Sequence, residues 1–186
     1  MATRHIQPCP HPDLNYPPRE KKPLITGGGT GIGAETAFYF AAAGAARAAL
    51  LGLREAFLLD TKASIQSQYP RVDVFVASTD LTKKAEVGKS FDAFLSGNQK
   101  LKVLVNGVAT LGSKETLEDV DGAIFLEGIQ QNLEGALYVA QAFPRHAADD
   151  AVAVDVNWSA AHINFSPFFP SYSVAKLAVC FESGTS

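Results

Sequence analysis

Thr26-Gly27-Gly28-Gly29-Thr30-Gly31-Ile32-Gly33 decides how this chain is read. The run follows a short apolar segment, residues 24–26, and precedes a segment of helical composition, residues 32–43. Glycines in that place let the chain turn tightly and let its backbone approach a pyrophosphate. The helix N-terminus then faces the anion with free N–H groups and the positive end of its dipole. The spacing is G-x-x-x-G-x-G, not G-x-G-x-x-G. Its setting between strand and helix marks the run as a nucleotide-binding turn, with Gly27, Gly29, Thr30, Gly31, Ile32 and Gly33 as candidate contacts.

From this turn outward, strand-like and helix-like segments alternate, which predicts stacked βαβ units and a parallel sheet. Strands are expected at 24–26, 48–51, 72–77, 102–105 and 151–158. Helices are expected at 32–43, 56–68, 83–95 and 121–142, the last ending before Pro144, with a fifth beginning near Ser171 after Pro170. The runs at 102–105 and 151–158 read as strands buried on both faces.

A chain of 186 residues has room for one domain with a real core. The apolar fraction of 47% and charged fraction of 19% are ordinary globular values. A net charge of −3 without a long basic run argues against nucleic-acid and anionic-membrane partners. Cys9 and Cys180 are too few for a disulfide framework and fit a reducing compartment. No apolar core follows Met1, so no signal peptide is read. The apolar stretch 37–53 carries Arg47 and two glycines and divides into a helix and a strand, not a membrane span. A cytoplasmic location is expected.

Residues 1–21, with Pro8, Pro10, Pro12, Pro17 and Pro18, are expected to be a disordered tail, and 22–186 the folded domain. His5, Cys9, His11 and Asp13 fall in that tail without a scaffold and are not read as a metal site. Asn157-Trp158-Ser159 and Asn164-Phe165-Ser166 fit the glycosylation pattern and, without a signal peptide, are read as unused.

The end of the second strand should meet the adenosine ribose, where an acidic residue favours NAD. Here the sequence is Leu51-Gly52-Leu53-Arg54, with no carboxylate and an arginine near enough to pair with a 2′-phosphate. The cofactor reading is therefore NADP, with NAD the alternative. Arg54 as a plain solvated helix-start residue is the competing account.

Tyr172 and Lys176, four residues apart, share a helix face. An ammonium near a phenol is expected to lower the phenol pKa toward the working range. Ser159 lies thirteen residues before Tyr172, at the expected end of the fifth strand, where open α/β sheets place ligands.

With these residues the chain resembles the short-chain dehydrogenase/reductase family over about residues 22–179. Thr26-Gly27-x-x-x-Gly31-x-Gly33 matches the family's cofactor motif, and Asp80-Leu81 its adenine-contacting pair. Asn106-Gly107-Val108-Ala109 sits where the family has Asn-Asn-Ala-Gly, and Asn132 matches a helix asparagine. The resemblance implies a three-layer Rossmann-type doubly wound α/β parallel sheet. It implies that Tyr172 exchanges a proton with the substrate oxygen while the nicotinamide delivers or takes hydride. By the same resemblance Ser159 hydrogen-bonds that oxygen, Lys176 tunes Tyr172 and holds the ribose, and Asn132 supports a proton-relay water. Asn106, Gly107, Tyr172 and Lys176 are among the implied cofactor contacts.

Four positions depart from the pattern. Gly107 replaces an asparagine that helps tie strands, Leu53 stands where NADP-preferring members often carry arginine, Pro23 opens a central strand, and Trp158 takes the place of a small residue. The chain also stops ten residues after Lys176, where family members continue with two strands and a lid. A truncated product is expected, with a sheet incomplete at its C-terminal edge. The apolar stretch 151–154 would then be exposed to pairing with other chains, and solubility would be poor. A homo-oligomer weakened by the short fifth helix follows from the same reading.

Phe165, Phe168 and Phe169 form either an apolar substrate wall or core packing. Cys180 is read as a packed helix residue. The leading functional reading is an oxidoreductase acting on an apolar carbonyl or secondary alcohol. The alternatives are a catalytically impaired nucleotide-binding fragment, or an epimerase or dehydratase on the same scaffold.

Overall fold

The computed structural model describes residues 22–97, 99–159 and 168–183. Along them run β1 (Pro23–Thr26), α1 (Gly31–Ala42), β2 (Arg47–Gly52), α2 (Glu55–Gln68), β3 (Asp73–Ser78), α3 (Lys84–Phe94), β4 (Leu101–Asn106), α4 (Gly122–His146), β5 (Ala147–Asp155) and α5 (Pro170–Ser183). The tail with its His5, Cys9, His11 and Asp13, and also Asn164-Phe165-Ser166, lie outside the described residues.

Side chains alternate across each strand, and here both sets are apolar. Leu24, Ala49, Leu51 and Leu104 join one core with Val87, Phe91 and Phe94 of α3 and Val139 of α4. Their neighbours Ile25, Leu50, Val74 and Val105 join a second with Ala37 and Ala41 of α1 and Leu58 and Ile65 of α2. Helices therefore cover both faces, giving a three-layer, doubly wound sheet. The strand order is β3-β2-β1-β4-β5, with every pairing parallel. The order reverses between β1 and β4, the switch point at which such sheets open a crevice. Pro23 is the first residue of β1, the one place in a central strand that tolerates it.

Two expected boundaries are corrected. Pro144 does not end α4, which continues to His146. The ring removes one amide donor only at the last turn, and there His146 Nδ1 lies 2.8 Å from the Ala142 carbonyl. The fifth strand is displaced toward the N-terminus: β5 starts at Ala147 and ends at Asp155, so Asn157 and Trp158 fall beyond it. A register shift opposite Leu101 and Val103 absorbs the extra residues, and Lys102 pairs with Asp150 in that stretch. The expectation that β5 is buried on both faces fails; β5 is a sheet edge, paired only with β4 among the described residues, and its side chains are largely uncovered. Val152 and Val154 of this edge are 56% and 47% exposed.

Candidate functional site

The glycine turn links β1 to α1 through two close backbone approaches. Gly27 has φ +70°, a left-handed conformation, and a Cβ there would stand 3.1 Å from the Gly107 carbonyl group. A Cβ on Gly33 would stand 2.2 Å from the Gly27 carbonyl oxygen. The start of α1 is thus pressed against the turn. Thr30 is the N-cap residue of α1, but its side chain makes no capping bond, leaving the first-turn amides of α1 without a side-chain acceptor.

This turn forms one wall of a cleft of about 660 Å³. Gly27, Gly29, Thr30, Ile32 and Gly33 line it, together with Arg54, Asp80, Leu81, Gly107 and Asn132. Ten of the sequence-derived candidates thus face one volume at the switch point. Gly31, Asn106, Ser159, Tyr172 and Lys176 are not in its lining.

The side chains differ in what they are already bound to. Arg54 precedes α2, and its guanidinium carbon lies 4.4 Å from the Phe57 ring centre. No ion pair holds it among the described residues. The Asp80 carboxylate accepts from the Thr82 hydroxyl at 2.7 Å and amide at 3.0 Å and pairs with Lys83. The Thr82 hydroxyl, above all, holds its carboxyl below the ordinary range. Leu81 is buried in the α3–α4 core.

Asn106 is a sheet clasp. It accepts from the Thr26 hydroxyl at 2.6 Å and donates to Asp155 at 2.7 Å, joining the ends of β1, β4 and β5. The Gly107 and Val108 amides donate to the same Thr26 oxygen, at 3.1 and 3.3 Å. These bonds tie the strands where Gly107 has no side chain to do so. Asn132 is likewise engaged. Its Nδ2 donates to the carbonyls of Thr110 and Gly128, and its Oδ1 accepts from the Thr110 amide. It fastens the loop after β4 onto α4.

Tyr172 and Lys176 stand on α5, and Ser159 is an exposed residue four positions past the end of β5. The Lys176 side chain is buried and its Nζ donates to the Val156 carbonyl at 2.8 Å. It lies 5.7 Å from the centre of the Tyr172 ring. Trp158 packs on that same ring, centroids 5.5 Å apart. The expected lowering of the Tyr172 pKa is corrected: burial pushes the phenol up. The Lys176 ammonium, bonded to the Val156 carbonyl, does not offset that desolvation. Of the aromatic trio, Phe168 is half exposed and pairs with Thr116 in an isolated bridge, and Phe169 has a left-handed φ of 66° before Pro170. Phe165 and the Cys180 side chain lie outside the described residues.

The sequence profile of the short chain dehydrogenase family matches residues 21–181. The chain belongs to the short-chain dehydrogenase family. A "Short chain dehydrogenase/reductase" of Claviceps purpurea (strain 20.1) is 27% identical over 158 residues, covering 85% of this chain and 52% of that protein. The "Probable galactose dehydrogenase GalD" of Rhizobium meliloti (strain 1021) is 30% identical over 169 residues, covering 90% and 63%. Among solved structures, an alcohol dehydrogenase from the archaeon Thermococcus sibiricus, complexed with 5-hydroxy-NADP, superposes with a TM-score of 0.76 at 25% identity, covering 86% of this chain and 66% of that one. The chain thus spans about half to two thirds of the length of these relatives.

Several lining residues of this short-chain dehydrogenase cleft escaped sequence reasoning, among them Phe57, Thr79, Thr110, Gly112 and Gln131. Phe57 was within reach, since it lies one helical turn past Arg54. Thr110 and Gly112 come from the loop after β4, whose path no periodicity fixes. Among the described residues no cluster of three His, Cys, Asp or Glu side chains could hold a metal, and no helix is long and apolar enough to cross a membrane.

Proposed function

We propose that this chain is the nucleotide-binding and proton-transferring part of an NADP(H)-dependent oxidoreductase that interconverts a carbonyl and a secondary alcohol. The reading is carried by the cleft itself, where the glycine turn, the start of α1 and Arg54 face one volume. The residues fit the cofactor on geometry. Gly33 and Gly27 leave a backbone surface that any Cβ would fill, with uncapped helix amides beside it for the pyrophosphate. Arg54, with no carboxylate partner and its plane supported by Phe57, suits a 2′-phosphate, and Leu53 beside it repels none. When bound, the nicotinamide would supply hydride.

In this reading the chain's own residues position and protonate. Tyr172 is the proton donor to the substrate oxygen, or its acceptor in reverse, and Ser159 steadies that oxygen. Lys176, anchored on the Val156 carbonyl, fixes the pitch of α5 beneath Tyr172 and reaches the ribose. Asn132 holds the cleft loop. Trp158, packed on the Tyr172 ring, gives its surroundings an aromatic character that suits an apolar substrate.

Substituting Arg54→Ala tests the cofactor assignment. Loss of a charge-assisted pair at a partly exposed site should weaken NADPH binding roughly tenfold, with NADH binding unchanged. Equal effects on both would return Arg54 to a solvated helix-start residue.

The raised Tyr172 pKa sets a pH dependence. Carbonyl reduction needs the protonated phenol, which persists through neutral pH and beyond the ordinary value of about 10. Reduction should therefore stay flat through neutral pH, while alcohol oxidation, which needs the phenolate, rises about tenfold per pH unit. A reduction rate that declines through neutral pH would contradict this assignment.

One observation favours a second reading, a nucleotide-binding fragment without turnover: Ser159, Tyr172 and Lys176 lie outside the cleft lining. Nucleotide binding with no turnover on any carbonyl, until a full-length relative is added, would select it.

A further inference from the structure

The start of α5 is seated on two glycines. Ser171, the residue before Tyr172, is 1% exposed, and its hydroxyl has no hydrogen-bond partner among the described residues. A Cβ on Gly128 of α4 would stand 2.8 Å from the Ser171 Oγ and 3.1 Å from its Cβ. A Cβ on Gly112, in the loop after β4, would stand 2.5 Å from the same Oγ. A buried hydroxyl without a partner is unfavourable. Ser171 therefore owes its place to fit, not to a polar bond.

The seat is joined to the cleft. Gly112 lines the cleft, as do Thr110 and Asn132. Asn132 donates to the Gly128 carbonyl at 2.7 Å and to the Thr110 carbonyl at 2.9 Å, holding both halves of the seat together. On the other side, Tyr172 follows Ser171 directly. The Asn132 bonds and the close approach of Gly128 to Ser171 thus link the cleft wall to the residue that precedes Tyr172.

We propose that Gly112 and Gly128 form a close-packed seat for Ser171, and that this seat sets the position of Tyr172 relative to the cleft. These are positioning residues for the reaction proposed above, and the inference rests on that reading for its effect on turnover. Filling the seat lifts the first turn of α5 and carries Tyr172 with it. A misplacement of about 1 Å in a reacting group can lower turnover roughly a hundredfold.

The test has a readout that needs no turnover. Trp158 is the single tryptophan of the chain and packs on Tyr172, so its emission reports the placement of α5. Gly128→Ala should shift the Trp158 emission of the folded protein and lower turnover at least about tenfold, while NADPH binding, carried mainly by the glycine turn and Arg54, changes less than turnover does. Adding Ser171→Gly, which removes both atoms met by the new methyl, should restore emission and turnover together. Ser171→Ala should restore them in part, since its Cβ remains. A loss of melting temperature alone, with emission and turnover per folded molecule as in the wild type, overturns the proposal. So does a defect that Ser171→Gly leaves in place. Should Gly128→Ala not fold, Ser171→Thr places a methyl in the same seat from the other side, and unchanged emission in it overturns the proposal equally. Wild-type protein without turnover on any carbonyl or alcohol would instead sink the oxidoreductase reading and leave the emission test in force.

Discussion

Tyr172→Phe should lower turnover roughly a hundredfold to ten-thousandfold, the usual contribution of a positioned proton donor, and leave NADPH binding intact. The substitution removes one oxygen and keeps the ring. The contact with Trp158 is between rings, and Lys176 is anchored on the Val156 carbonyl, not on the phenol. Neither packing nor the helix is therefore disturbed, and the melting temperature should stay where it is or rise slightly. The comparison is made by steady-state turnover beside a nucleotide titration of the same preparation. Turnover within about threefold of wild type would assign the proton to another group and remove Tyr172 from the site, since a positioned proton donor contributes at least a hundredfold.

Gly33→Ala should weaken NADPH binding roughly tenfold to a hundredfold, the equivalent of the about 1–3 kcal/mol that overpacking commonly costs. The added methyl would meet the Gly27 carbonyl oxygen at 2.2 Å and its carbon at 2.7 Å. Both are backbone atoms of the turn itself, so relief requires opening the surface on which the pyrophosphate would rest. Gly88→Ala in α3 is the matching control, because a methyl there meets nothing within 4 Å. It should raise the melting temperature through helix propensity and leave binding unchanged. If both variants bind NADPH as wild type does, the glycine turn is not the phosphate cradle.

The residues explain why much of the fold was legible and some of the site was not. Strands β1 to β4 are short apolar runs closed by glycine or polar turns, and their bounds follow from composition to within about two residues. The glycine turn announces itself because backbone approach permits no other residue type. Pro144 misled because a helix breaker in the last turn removes only one bond. β5 misled because its apolar stretch was taken as the strand, whereas the pairing begins four residues earlier across a bulge. Asn106 carries the plainest lesson. Its motif position implied a cofactor contact, and the structure adds a role the motif does not show: its amide oxygen accepts from Thr26 and its amide nitrogen donates to Asp155, 80 and 49 residues away. Lys176 is similar: helical spacing correctly places it beside Tyr172, but its bond to Val156 depends on how the chain leaves β5. Pairings at that separation leave no local trace in sequence, and they decide which side chains remain available for a ligand.

The most direct measurement is a titration of the purified protein with NADPH and, separately, NADH, followed by nicotinamide fluorescence. The account predicts saturable binding of both, with NADPH the tighter because Arg54 faces the cleft and makes no ion pair among the described residues. Failure of either nucleotide to saturate would contradict the central claim, and would mean that the cleft between the glycine turn and Asn132 is a remnant of the fold and not a cofactor site.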